Sequence, residues 1–203
     1  LRRALGYDAA EVIGRNGLMF VQEEDRRAVQ EAFPRLVAAA DASVTMRVRF
    51  VHKDGSARLL ESTLVNRLAD AEVVAIVCSF RDLTREEEQR ARFDAAFDNA
   101  AVGMAHVDLD GRILLANRRL GEMLGYAREA LPGRTMFELS HPEDVDATSE
   151  ERAQLHAGAI PHFTKRKRYL RSDGSVLWAQ ITVAAERDAQ GLVRYETAAF
   201  EDV

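Results

Sequence analysis

The chain has 203 residues, a formal net charge of −5, 47% hydrophobic and 30% charged residues, the make-up of a globular protein with one large or two small domains. That acidity gives no general attraction to nucleic acid or an anionic membrane, and no apolar run is long enough to span a bilayer. The single cysteine, Cys78, excludes an internal disulfide framework and a multi-thiolate zinc site, and it suits a reducing cytoplasm. No charged-then-apolar leader is recognisable, and the opening at Leu1 is expected to be that of a fragment of something longer.

In chain order, Leu5-Gly6-Tyr7 and Gly14-Arg15 precede a stretch in which Val29, Ala32, Phe33, Leu36, Val37 and Ala40 share one face at helical spacing. Pro34 is expected to kink or split that helix. Val44, Met46, Val48 and Phe50 then alternate with Thr45, Arg47, Arg49 and Val51, as in a half-buried strand. Lys53-Asp54-Gly55-Ser56 turns the chain into a second strand, Arg58 to Val65, and a third run, Val73 to Phe80, completes a meander. Cys78 on that last strand reads as a buried, inert thiol. Thr84-Arg85-Glu86-Glu87 has capping-box spacing, with Thr84 accepting from a free backbone N–H and Glu87 reaching back. The apolar stripe that follows, Phe93, Ala96, Phe97 and Ala100, either packs on its own second domain, the favoured reading, or pairs with a copy of itself. It is too short to be read as a coiled coil.

Gly103 to Val107 and Ile113 to Ala116 flank Asp108-Leu109-Asp110-Gly111, a strong hairpin signal. Asn117 is placed to cap a short helix over Arg118 to Leu124, which Gly125 ends. Pro142-Glu143-Asp144 is expected to open a longer helix, with proline in its first turn and acids near its positive end.

These elements are a repeat. Leu5-Gly6-Tyr7 recurs as Leu124-Gly125-Tyr126, an offset of 119 residues, which also carries Gly14-Arg15 onto Gly133-Arg134, Glu24-Asp25 onto Glu143-Asp144, and Asp54-Gly55-Ser56 onto Asp173-Gly174-Ser175. One residue is gained in the last hairpin, after which Phe80-Arg81-Asp82 matches Phe200-Glu201-Asp202. The order strand, strand, helices, three strands gives an α+β fold: in each repeat an antiparallel five-stranded sheet with helices on one face. The first repeat starts midway through its first helix, since Leu1 aligns with Leu120, and so lacks its first two strands. The edge of Val73 to Phe80 is then unpaired and apolar. The domains are expected at 1–83 and 100–203, joined by a linker helix over 84–99.

Phe97-Asp98-Asn99-Ala100, Asp110-Gly111-Arg112-Ile113, Leu124-Gly125-Tyr126, His141-Pro142-Glu143-Asp144, Lys167-Arg168-Tyr169-Leu170-Arg171-Ser172-Asp173-Gly174-Ser175 and Trp178 together resemble a bacterial PAS domain. Asp82-Leu83-Thr84 resembles the aspartate-x-threonine signature that closes such domains. The resemblance implies a ligand or cofactor cavity between the sheet's concave face and the helices. It also implies homodimerisation and relay, through the helix after the last strand, to an output such as a histidine kinase or a cyclic-dinucleotide enzyme of the same parent chain. Asp82, Thr84, Glu87 and Asp202 are the residues placed for that relay.

Met136, Phe137, Lys165, Lys167 and Tyr169 in the second repeat, with Met46 and Val48 in the first, are the candidate pocket residues. Met46 and Val48 align with Lys165 and Lys167, so one cavity wall is apolar and the other basic; either lysine could hold a small carboxylate, or snorkel into a salt bridge. Large residues (Met19, Phe20, Met136, Phe137) would instead close the pocket and leave a docking module without a ligand. Neither Asn16-Gly17-Leu18-Met19-Phe20 nor Thr135-Met136-Phe137-Glu138-Leu139 holds the cysteine of a flavin photosensor. Haem is disfavoured because Thr148, Ser149 and Glu150 stand where an axial histidine is common and His156 is expected to face solvent. The cofactor is therefore left unassigned.

His141 beside Glu143 and Asp144 suggests acid–base chemistry only superficially, since Gln22 replaces it in the first repeat and a helix cap explains it. There is no metalloprotease histidine pair, phosphate-binding glycine loop or nucleophile elbow, so neither catalytic nor metal residues are assigned. The basic run Lys165 to Arg168 is split between two strand faces and lacks stacking aromatics, which argues against nucleic acid. Trp178 is either an anchor on an exposed sheet face or core.

Overall fold

The computed structural model describes residues 2–203. Tertiary contacts divide the chain into two units, Leu1–Ala91 and Arg92–Val203. In the first, two short helices, α1 (Arg2–Leu5) and α2 (Ala9–Val12), and a 3-10 turn at Gly17–Phe20 lead to α3 (Glu23–Val37). A meander of β1 (Ser43–Val51), β2 (Ala57–Arg67) and β3 (Ala75–Asp82) forms a three-stranded antiparallel sheet in that order. Helix α4 (Thr84–Asp98) follows, and the division between units falls inside it.

The second unit has β4 (Gly103–Val107), β5 (Ile113–Ala116), α5 (Arg118–Leu124), α6 (Met136–Leu139), α7 (Ser149–Ala157), β6 (His162–Leu170), β7 (Val176–Arg187) and β8 (Val193–Asp202). Its five strands are ordered β5-β4-β8-β7-β6, all pairs antiparallel. Leu120, Leu124, Leu139 and Leu155 come from its helices, and together with Val107, Ile181, Val183 and Ala198 from the strands they build the buried core. Tyr169 and Phe200 meet edge-to-face within it, ring centres 5.5 Å apart. Among the described residues no helix is long and apolar enough to cross a membrane.

The two sheets share one register. Val48 pairs with Leu60 as Lys167 pairs with Ala179, and Ser62 pairs with Phe80 as Ile181 pairs with Phe200. Thr45 and Thr63 bond across their strands at 2.9 Å, and Thr164 and Thr182 at 3.0 Å. The edge clasps recur as well. Asp25 accepts from the Arg49 backbone N–H at 2.8 Å, and Asp144 from that of Arg168 at 2.7 Å, each also gripping the arginine's guanidinium. A slip of one residue would reverse the sheet faces, so sharing a register makes the cavity-facing positions of the two units correspond.

Several local expectations are corrected. α3 runs unbroken through Pro34, which is exposed in its last turn. The helix expected from Pro142 is divided: Pro142–Asp144 is a 3-10 turn and α7 starts only at Ser149. Asp146 and Thr148 between them are weak interior helix formers, and Thr148 is drawn inward to 7% exposure. β3 starts at Ala75 rather than Val73, because Val74 takes a φ of 45° that no strand accommodates. Cys78 is exposed rather than buried, and the apolar atoms around its thiol push its pKa up. Met19 and Phe137 are likewise exposed, while Phe20 is buried and Met136 partly so.

Candidate functional site

The second unit has a small cavity of ≈ 40 Å³ between sheet and helices, with Met136, Phe137, Lys167 and Tyr169 among its lining residues. Strand alternation sends Lys167 and Tyr169 of β6 inward, and they are 4% and 2% exposed. The Lys167 ammonium lies 5.1 Å from the centre of the Tyr169 ring. Among the described residues it has no carboxylate at salt-bridge distance and no hydrogen bond. Burial lowers its pKa to about 8, the more distant Asp144 charge opposing that shift and Arg152 and Lys165 adding to it. Burial also pushes the Tyr169 phenol up, so this ring stays neutral.

Lys165 shares the parity of Lys167 but not its surroundings. It donates to Glu151 of α7 at 2.6 Å and is not among the residues lining the cavity. The basic wall is therefore one lysine, not two.

Arg152, Glu196, Thr148 and Ser140 complete the polar lining. Glu196 on β8 is 4% exposed and takes hydrogen bonds from Arg152 Nε at 2.9 Å and His156 Nε2 at 2.6 Å. His156 is thus turned onto Glu196 and partly buried, which corrects its expected solvent exposure. The lining holds two cationic side chains, Arg152 and Lys167, and one carboxylate, Glu196, which Arg152 pairs.

In the first unit Met46 and Val48 line a different space, an open cleft of ≈ 640 Å³. The relay candidates lie at the ends of the last strands. The Asp82 carboxylate accepts from the Thr84 N–H at 2.9 Å, while the Thr84 hydroxyl accepts from Leu59 N at 3.0 Å. Glu87 N donates to Leu83 O at 2.9 Å. The expected capping box is therefore not formed: Asp82 caps α4, and Thr84 is spent on the neighbouring strand. In β8, Asp202 faces Arg171 at 3.7 Å.

Sequence reasoning treated Asn117 only as a helix cap, and that role is present, with Oδ1 accepting from Leu120 N at 2.9 Å. The side chain does more. Fully buried, it also accepts from Met104 N at 2.8 Å and donates to Phe97 O at 2.9 Å and Val102 O at 3.0 Å. It thereby fastens the end of α4 to β4 and α5. Arg128 pairs with Asp98, and Phe97 packs on His106 at 5.5 Å, so this end of α4 belongs to the second unit's fold while Phe93 stays half exposed. An asparagine before a helix looks the same in sequence whether it serves one amide or four groups. His141 Nδ1 accepts from Glu143 N at 3.3 Å, the capping role read for it. Trp178 is 50% exposed beneath Arg168, whose guanidinium is 5.5 Å from the ring centre.

Comparison with known proteins agrees with this geometry. A family model described as PAS fold matches residues 91–203, and a second of the same description matches residues 1–80. The chain is 34% identical over 57% of its length to the probable diguanylate cyclase DgcE of Escherichia coli strain K12. It is 31% identical over 83% of its length to the C4-dicarboxylate transport sensor protein DctS of Rhodobacter capsulatus. It spans only 10% of the former and 28% of the latter. The PAS domain of an HTR-like protein from Haloarcula marismortui shares the fold, with a TM-score of 0.51 at 22% identity over 59% of this chain and 95% of that one. The chain belongs to the PAS family, and it carries two of that family's sensor domains in tandem.

Proposed function

We propose that the second unit is the ligand-reading part of a sensory module and that its ligand is a small carboxylate held by Lys167. The observation that carries this reading is a buried lysine without a carboxylate partner on the wall of a small cavity. Such a charge is costly unless an anion completes it. The cavity volume of ≈ 40 Å³ corresponds to about three water positions, which suits an acid no larger than acetate. The name of the relative DctS, a C4-dicarboxylate transport sensor protein, points to the same chemical class of ligand.

The module binds and relays without catalysing. In the parent protein it works in the cytoplasm as a homodimer and controls an output domain of the kinase or diguanylate-cyclase kind found among its relatives, through Asp82, Thr84, Glu87 and Asp202. Ligand drives that relay only by favouring one of two states, so the anion must change how Lys167 and the Arg152–Glu196 pair are held.

Thermal unfolding of the chain with acetate, pyruvate, succinate and uncharged amide controls tests the reading. Acetate is expected to raise the second-unit transition in a saturable way, the larger acids to do so less, and Lys167→Met to abolish the effect. If no acid shifts the transition, a docking module without a ligand becomes the better account.

A further inference from the structure

Arg152 stands one helical turn before His156 on α7, and both side chains converge on Glu196 of β8. Glu196 is 4% exposed and accepts from Arg152 Nε with both oxygens, at 2.9 and 3.2 Å, and from His156 Nε2 at 2.6 Å. The guanidinium has two further anchors: it donates to Leu109 O at 3.3 Å and lies 5.6 Å from the centre of the Phe137 ring. Arg152, Glu196 and Lys167 all line the same small cavity.

A carboxylate on the edge of a guanidinium is the contact by which an arginine holds an acid ligand. Here the carboxylate is the chain's own. It affects an anion in the cavity in two ways. By taking the Arg152 Nε donor, it leaves Lys167 as the cation of the lining that an incoming carboxylate can pair. It also fixes a negative charge in the wall, at a site where water screens little. A monoanion brings one charge to Lys167 and needs nothing more. A dianion brings a second charge that Glu196 repels and that Arg152, already paired, does not neutralise.

We propose that Glu196 sets the charge selectivity of this cavity: by occupying Arg152 it restricts the site to small monoanions and excludes dianions of similar size. The inference rests on the carboxylate reading of Lys167 and adds to it the residue that decides which anions qualify. Specificity here comes from a repulsive element as much as from an attractive one. Glu196→Gln keeps the shape of the side chain and an acceptor for Arg152 while removing the charge. The anchors of Arg152 at Leu109 and Phe137 then hold its guanidinium in the lining as a second cation.

The test is isothermal titration of the whole chain at pH 7 with acetate and with sulfate, a compact dianion. Wild type is expected to bind acetate and not sulfate. Glu196→Gln should raise the affinity for sulfate on the order of tenfold to a hundredfold, the worth of one charge-assisted hydrogen bond. Arg152→Gln instead releases the Glu196 carboxylate toward Lys167, so acetate binding should fall by about tenfold or more. Adding Glu196→Gln to Arg152→Gln should restore acetate binding without creating sulfate binding. An ion pair with a purely structural role would produce neither the change of preference nor the rescue. Should Glu196→Gln fail to fold, Arg152→Gln and the double variant decide the matter. The inference is overturned, with the Lys167 reading intact, if wild type binds sulfate as tightly as acetate, if Glu196→Gln gains no affinity for sulfate, or if Arg152→Gln binds acetate as wild type does. Absence of acetate binding in the wild type would instead remove the Lys167 reading, and this inference with it.

Discussion

The Lys167 ammonium rests 5.1 Å from the centre of the Tyr169 ring. A ring quadrupole offsets only part of what burial removes, since a partly desolvated cation–π contact is worth about 1–2 kcal/mol. Lys167 is therefore a liability in the empty protein.

Lys167→Met is expected to stabilise the second unit on the order of 2–3 kcal/mol, because the folded pKa of about 8 lies below the ordinary 10.5. The sign follows from proton binding. Between pH 8 and 10.5 the unfolded chain holds more protons than the folded one, so wild-type stability rises with pH across that window. Below it the penalty is fully present. Denaturation curves at pH 7 and 10 should thus show the advantage of the methionine variant shrinking at the higher pH, and an advantage independent of pH would contradict the account.

Asp144 makes the opposite contribution. Its hydrogen bonds with Arg168 hold its pKa down to about 2, below the ordinary 3.8, so the clasp stabilises fully above pH 4 and its contribution is lost as pH falls through about 2. Asp144→Asn should lower stability at neutral pH by about 1–2 kcal/mol, screening by solvent included, and flatten the acid limb between pH 4 and 2. Acid titration of the two proteins by circular dichroism checks both points. Asp25 is lowered for the same reason, first by its bond to Arg49, so the first unit should show an acid limb of its own.

Asn117→Ala removes four buried hydrogen bonds at once and should cost the second unit about 3–5 kcal/mol. The amides of Met104 and Leu120 are expected to lose hydrogen-exchange protection before the rest of the sheet does. Protection lost evenly over the whole unit would mean that Asn117 does not specifically fasten α4.

Much of the fold was legible because it rests on local chemistry. Alternation at Val44 to Phe50, the Asp108–Gly111 hairpin and the Asn117–Gly125 helix limits are set by neighbours a few residues away. The repeat then extended the reading from one unit to the other. The candidate site was less legible, since its chemistry depends on what another element brings opposite. Lys165 and Lys167 look alike in a strand, yet Glu151 of α7 reaches only the first. Thr84 was assigned to a cap, although the Leu59 amide across the fold claims its hydroxyl. His156 was assigned to solvent because Glu196, which holds it, lies 40 residues further along the chain.

Isothermal titration of the whole chain with a small carboxylate at pH 7 and at pH 9.5, alongside Lys167→Met, tests the central claim most directly. The account predicts saturable binding at pH 7 that weakens about tenfold per pH unit above about 8, as Lys167 loses its proton, and no binding by the variant. Binding that is equal at the two pH values, or that survives Lys167→Met, would contradict it.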